Sequence, residues 1–119
     1  MIILDNHNVL VLKDNNKYIG SMKYEIKDET CIIKVLYIVP HERKKRYCKY
    51  LFDFLFEKLK ITEIKKIDLE AKEYFSHFNK LVNYYKSFGF IINNNTEIYE
   101  KWIDGQLVRL IKMVKFLKN

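Results

Sequence analysis

Between His41 and Tyr50, five residues are Lys or Arg (Arg43, Lys44, Lys45, Arg46, Lys49) against a single acid, Glu42. This basic run follows Ile38-Val39-Pro40 and leads into Tyr47–Lys60, whose apolar residues Cys48, Leu51, Phe52, Leu55 and Leu59 recur at helical spacing. The first turn of a helix carries unpaired backbone N–H groups and the positive end of the helix dipole. A basic loop feeding such a terminus is suited to phosphate binding. The competing reading is a solvated charge run at a helix start. Cys48 sits where a helix N-terminus and cationic neighbours lower a thiol pKa. His7, His41 and His77 are scattered and form no ligand set, and Cys31 and Cys48 have neither disulfide-framework nor zinc spacing, so no metal site is expected. A second segment, Leu81-Val-Asn-Tyr-Tyr-Lys-Ser-Phe-Gly-Phe90, reads as an amphipathic helix with an aromatic stripe that closes on a C′ glycine, Gly89.

These segments sit in a chain of 119 residues, enough for one domain over residues 1–119. With 49% hydrophobic and 31% charged residues it can bury a core and is not disordered. No apolar run reaches the length of a membrane span, and the N-terminus lacks the basic start of a signal peptide. The expected compartment is the cytoplasm. The net charge is +7, but 19 Lys against 3 Arg, with 15 Ile, 10 Asn and one Ala, is the usage of an AT-rich coding sequence. Global basicity is therefore weak evidence for nucleic-acid binding, and local clustering counts for more.

The elements that must position these residues follow from period and turn chemistry. Val9–Lys13, Tyr18–Ile26 and Cys31–Val39 read as a three-stranded antiparallel meander, turning at Asp14–Lys17 and Lys27–Thr30 and ended by Pro40. Gly20 marks a bulge or close approach. A helix over Tyr47–Lys60, a strand over Ile64–Ala71 and a helix over Tyr74–Phe88, with Phe75, Phe78, Leu81, Val82 and Tyr85 as its stripe, come next. Phe90–Ile92, Glu97–Ile103 and Gln106–Leu117 read as strands, the last two joined by the hairpin turn Asp104-Gly105. The order is βββ-α-β-α-βββ, an α+β domain. Cys31 is read as a buried strand residue. Trp102 is read as core, with an interface or acceptor-site wall as the alternative.

Taken in order, the two motif segments resemble the GNAT superfamily of N-acetyltransferases. The family's acyl-CoA loop runs Val-x-Pro, two residues, Arg-x-x-Gly-x-Gly/Ala, then helix; here it reads Ile38-Val39-Pro40, His41-Glu42, Arg43-Lys44-Lys45-Arg46-Tyr47-Cys48. The later Tyr-x-x-x-Gly-Phe motif is matched by Tyr85-Lys86-Ser87-Phe88-Gly89-Phe90. Leu69-Glu70-Ala71, Asn79–Val82 and Lys17–Gly20 are also similar to family segments, and the resemblance covers roughly residues 9–117. It departs at Arg46 and Cys48, which stand where the family has glycines. It departs again at the start, where only Met1–Asn8 precedes the meander and the family's first strand and next two helices are mostly missing.

The resemblance implies a mixed, mostly antiparallel sheet with a central splayed parallel pair and two main helices. It also implies acetyl-CoA as co-substrate, with Ile38, Val39, Arg43, Lys44, Lys45, Arg46, Tyr47, Cys48, Lys49 and Asn79 as its binding residues. Acyl transfer to a primary amine then proceeds by direct attack, with Glu70 taking the amine proton and Tyr85 protonating the departing thiolate. No acyl-enzyme is needed, so Cys48 is read as a redox-sensitive thiol, on the surface or half-buried, ahead of a nucleophile. The bare reading of Tyr85 is a core aromatic. The expected acceptor is a protein or peptide amine, with a homodimer as one way to complete the acceptor site. The rival readings are a catalytically degenerate acyl-CoA-binding or protein-interaction module and a nucleic-acid binder. Against the latter, Tyr47, Tyr50, Phe52, Phe54 and Phe56 have core spacing on a helix.

Overall fold

The computed structural model describes residues 1–43, 45–74 and 79–117. Contacts divide the chain into two compact units, Met1–Lys65 and Lys66–Asn119.

In the first unit, β1 (Ile2–Asn6), β2 (Val9–Asp14), β3 (Lys17–Lys27) and β4 (Thr30–Ile38) form an antiparallel meander, followed by α1 (Tyr47–Lys60). The meander has four strands where the sequence suggested three. The added strand, β1, pairs with β2 from Ile2–Lys13 to Asn6–Val9. It is almost wholly exposed, so it lacks the in–out alternation that marks a strand. What creates it is the two-residue turn His7-Asn8, both residues at positive φ (49° and 66°). Asn15-Asn16 (51° and 64°) repeats this geometry between β2 and β3. Such turns match the right-handed twist of the strands they join.

One face of the meander is buried, through Leu10, Leu12, Met22, Tyr24 and Cys31, and α1 packs against β3 with Leu51, Phe52, Leu55 and Leu59 buried. Gly20 lies at the close approach its sequence position suggested. A Cβ there would stand 2.3 Å from the carbonyl oxygen of Tyr37, so no larger residue fits without moving β4. Lys58 in the last turn of α1 is hydrogen-bonded to Asp5 of β1 and lies 5.6 Å over the Tyr24 ring.

In the second unit, β5 (Lys66–Tyr74) pairs antiparallel with β8 (Gln106–Phe116) along its whole length. Two further strands, β6 (Ile91–Ile92) and β7 (Tyr99–Ile103), also pair with β8, β7 through the turn at Asp104-Gly105. Helix α2 spans Lys80–Lys86. The expected helix from Tyr74 is corrected here. The β8 ladder continues through Lys72–Leu110, Glu73–Arg109 and Tyr74–Val108, and those pairings hold the chain extended past Ala71. Phe75, His77 and Phe78 fall outside the described residues. Gly89 ends the helix as its position suggested: its φ is 95°, its N–H donates to the Lys86 carbonyl at 3.0 Å, and the Phe90 N–H donates to that of Tyr85 at 3.3 Å. Trp102 is 72% exposed, which overturns its reading as core; it lies on β7, which is exposed along most of its length.

Candidate functional site

The basic loop begins where β4 ends. The Val39 N–H donates to the Ile19 carbonyl at 2.8 Å, so Val39 turns its amide toward β3. Along an antiparallel strand this alternates, so Ile38 turns its backbone groups the other way. The Ile38 carbonyl accepts the Nε–H of Arg43 at 2.8 Å, and the Arg43 guanidinium lies 5.6 Å over the Tyr37 ring. The loop therefore folds back on the strand end that precedes it, through a short 3-10 turn at Pro40–Glu42.

Arg46 stands at the N-cap of α1 with φ 63° and ψ 24°. This is the left-handed conformation that glycine adopts without cost and that other residues enter at about 1–2 kcal/mol. The Arg46 side chain does not cap the helix. Cys48 is half-buried near the same terminus and Cys31 is fully buried.

Glu42 is buried, although no residue near it in the chain marks it for burial. Its side chain is only 6% exposed and sits among Lys45 (3.0 Å), Lys17 (3.6 Å) and His41 (3.6 Å). The Lys45 ammonium beside it holds the Glu42 carboxyl below its ordinary value, and the same ion pair raises Lys45. Burial pushes the neighbouring Tyr47 phenol up, with Glu42 and Asp14 adding to the effect. Lys49 pairs with Asp53 at 2.6 Å, one helical turn away. So of the expected phosphate partners, Arg43, Lys45 and Lys49 each have a partner within the unit, and Lys44 lies outside the described residues.

In the second unit, Tyr85 is 9% exposed on α2, its ring tilted 63° to that of Phe90 with centroids 6.3 Å apart. Glu70 is exposed, opposite Lys112 in register. Strand alternation puts Glu70 on the face of β5 away from Leu69, Ala71 and Glu73. Asn79 is the N-cap residue of α2, with φ 73°.

Asn79 leads to a group that the sequence reading missed. The Glu73 side chain is fully buried; its Oε2 accepts the Val82 N–H at 3.0 Å, and its Oε1 lies 3.1 Å from Nη2 of Arg109. The same Nη2 donates to Oδ1 of Asn79 at 2.8 Å. Burial alone would raise the Glu73 carboxyl. The N–H groups of Val82 and Asn79 and the Arg109 guanidinium outweigh it and hold the carboxyl below its ordinary value. The signal was present as alternation: Ile67, Leu69, Ala71 and Glu73 share a face, and the last is an acid.

Among the described residues, no group of three His, Cys, Asp or Glu could hold a metal, and no helix is long and apolar enough to cross a membrane.

No curated protein sequence matches the chain. The acetyltransferase (GNAT) domain family matches residues 5–92, a span that contains both motif segments. Among solved structures, the chain is similar to the ribosomal-protein-S18-alanine N-acetyltransferase from Escherichia coli, with a TM-score of 0.80 and 13% identity over 97% of this chain and 73% of that one. It is also similar to a GNAT family acetyltransferase from Elizabethkingia anophelis with acetyl-CoA bound (TM-score 0.74, 21% identity, 92% of this chain and 75% of that one). A third is the spermidine/spermine N-acetyltransferase SpeG from Vibrio cholerae (TM-score 0.73, 21% identity, 92% and 66%). These likenesses show the fold, a mixed sheet with two main helices, as the motif resemblance implied. With three quarters of its length matched by the family, the chain belongs to the GNAT superfamily of acetyl-CoA-dependent N-acetyltransferases.

Proposed function

We propose that this chain transfers the acetyl group of acetyl-CoA to a primary amine presented by a protein or peptide. The observation that carries this reading is the backbone at Arg46. The residue has lost the family's glycine but keeps a left-handed, glycine-type turn at the start of α1. The donor set fits acetyl-CoA, whose activated thioester drives the reaction. Ile38, with its backbone groups turned away from β3, and Val39 hold the pantetheine arm. The backbone N–H groups of Tyr47 and Cys48, with Arg43, Lys44, Lys45, Arg46 and Lys49, receive the phosphates. Asn79 keeps its side-chain Nδ2 as a further donor.

The amine must lose its proton to attack. Glu70, exposed to water, takes that proton and passes it to solvent. As the carbon–nitrogen bond forms and the carbon–sulfur bond breaks, the phenol of Tyr85 gives its proton to the departing sulfur, and the second proton, shed by the new amide nitrogen, restores the phenol by way of water. A buried phenol suits this task because tyrosine is normally un-ionised at neutral pH.

Two observations favour a protein or peptide acceptor. One similar structure is that of an enzyme named for an alanine of a ribosomal protein. The chain's own charge of +7 repels cationic polyamines, the substrates named for another. A second copy of the chain would complete the acceptor site through the C-terminal hairpin, where Trp102 is 72% exposed.

The alternative, a module that binds acyl-CoA or a protein without catalysis, draws support from the pairing of Arg43 with Ile38 and of Lys45 with Glu42. Thermal shift with acetyl-CoA tests binding, since a ligand specific for the folded state raises Tm. Thiol release with peptide pools and with spermidine, side by side, tests transfer. A Tm rise without thiol release on any amine selects the degenerate module. Release on spermidine alone defeats the peptide assignment.

A further inference from the structure

Helix α2 has only seven residues, too few to be stable from its own hydrogen bonds. Its two ends meet opposite charges, both carried by the β5–β8 ladder. At the N-terminus, the buried Glu73 carboxylate accepts the Val82 N–H at 3.0 Å, doing from a strand what an N-cap side chain does from within the helix. At the other end, the Lys115 ammonium donates to the Phe88 carbonyl at 2.9 Å. The polarity is the one the helix dipole favours, anion at the start and cation at the finish. Both charges lie on one face of the ladder, because Glu73 is registered with Arg109 and Lys115 with Ile67. Arg109 fixes the Glu73 carboxylate by binding its other oxygen. Gly89 leaves room at the far end: a Cβ there would stand 2.4 Å from the Lys115 ammonium nitrogen.

We infer that Glu73 and Lys115 form a charge clamp that sets the position of α2, and that Glu73 is thereby a positioning residue for Tyr85, which α2 carries between the two charges. The catalytic half of this inference rests on the assignment of Tyr85 as the proton donor; the clamp itself does not.

The test has two arms. In the first, amide hydrogen exchange is followed over residues 80–90 in wild type, Glu73→Gln and Lys115→Met. We expect exchange at Val82 to quicken at least tenfold in Glu73→Gln and exchange at the C-terminal turn to quicken in Lys115→Met. Amides of Ile67, Leu69 and Ile111 in the β5–β8 ladder stay protected, which shows that each variant is folded. Wild-type exchange at Val82 in a folded Glu73→Gln overturns the clamp. Should Glu73→Gln fail to fold, Lys115→Met alone decides: unchanged exchange at the C-terminal turn overturns the clamp and faster exchange there upholds it.

In the second arm, thiol release from acetyl-CoA is measured with a pool of peptides bearing lysines and free N-termini. Glu73→Gln should lower kcat at least tenfold with KM for acetyl-CoA unchanged, and should lower it no further in a Tyr85→Phe background. Equal losses in both backgrounds overturn the positioning role. If Tyr85→Phe alone turns over like wild type, or wild type releases no thiol, the proton-donor assignment falls instead, and exchange by itself decides the clamp.

Discussion

Arg43 reaches back to the end of the strand before it, β4: its Nε–H donates to the Ile38 carbonyl at 2.8 Å while its guanidinium lies over the Tyr37 ring. A residue whose sequence position suggests a phosphate ligand is thus also the brace that sets the loop's angle to β4. Arg43→Ala should therefore lower Tm as well as weaken acetyl-CoA binding, the latter by about 1–3 kcal/mol. Lysine has neither the planar fork nor an Nε–H in this place, so Arg43→Lys should recover little of either. Calorimetric titration and thermal melts of both variants check this. A variant with weaker binding and unchanged Tm would mean that Arg43 serves the phosphates alone.

Arg46→Gly should stabilise the protein. The left-handed conformation costs an arginine about 1–2 kcal/mol and costs glycine nothing, while the added freedom of glycine in the unfolded chain returns about 0.5–1 kcal/mol of that. Urea unfolding should show a higher midpoint with unchanged slope. A lower midpoint would show that the Arg46 side chain contributes more than its backbone strain removes.

Glu42→Gln should tighten acetyl-CoA binding, because Lys45 loses the carboxylate that competes with phosphate for it. The same variant has a pH signature. The Glu42 carboxyl is held below its ordinary 4.5 in the folded protein, so its stabilisation is present above that value and is lost as pH falls through the folded-state value. The stability gap between wild type and variant should be full at neutral pH and should close below 4.5. A gap independent of pH would remove the ion pairs as its cause.

Tyr85→Phe should lower kcat while leaving acetyl-CoA affinity near wild type, since the phenol oxygen acts on the departing thiolate and the ring still packs on Phe90. Single-turnover thiol release alongside binding titration separates the two. Equal turnover would return Tyr85 to a purely packing role.

What could be read from the sequence followed how locally each feature is determined. The stripe of α1, the turns at Asn15-Asn16 and Asp104-Gly105, the close approach at Gly20 and the cap at Gly89 depend on residues within a few positions, and each is found where it was expected. Strand β1 is exposed and carries no alternation of its own, and the last residues of β5 depend on distant partners, Val108–Leu110, so neither segment marks itself as strand. The loop was legible as basic, but the cluster around the buried Glu42 was not, because it brings in Lys17 from β3. Glu73 was legible by alternation alone, and its role needed Val82 and Arg109 brought to it by the fold.

The meander also has a consequence for how the chain acquires its structure. Each of its pairings joins neighbours across a tight turn, so the loops to be closed are short and their entropic cost small. The β5–β8 ladder instead joins Tyr74 to Val108 and Lys66 to Phe116, and must wait for most of the intervening chain. Chains rich in local pairings fold faster, and synthesis delivers Met1–Lys65 first. The order expected is β1–β4 ahead of β5–β8, which pulse-labelled exchange during refolding would record as early protection at Leu10 and Met22 and late protection at Ile67 and Ile111.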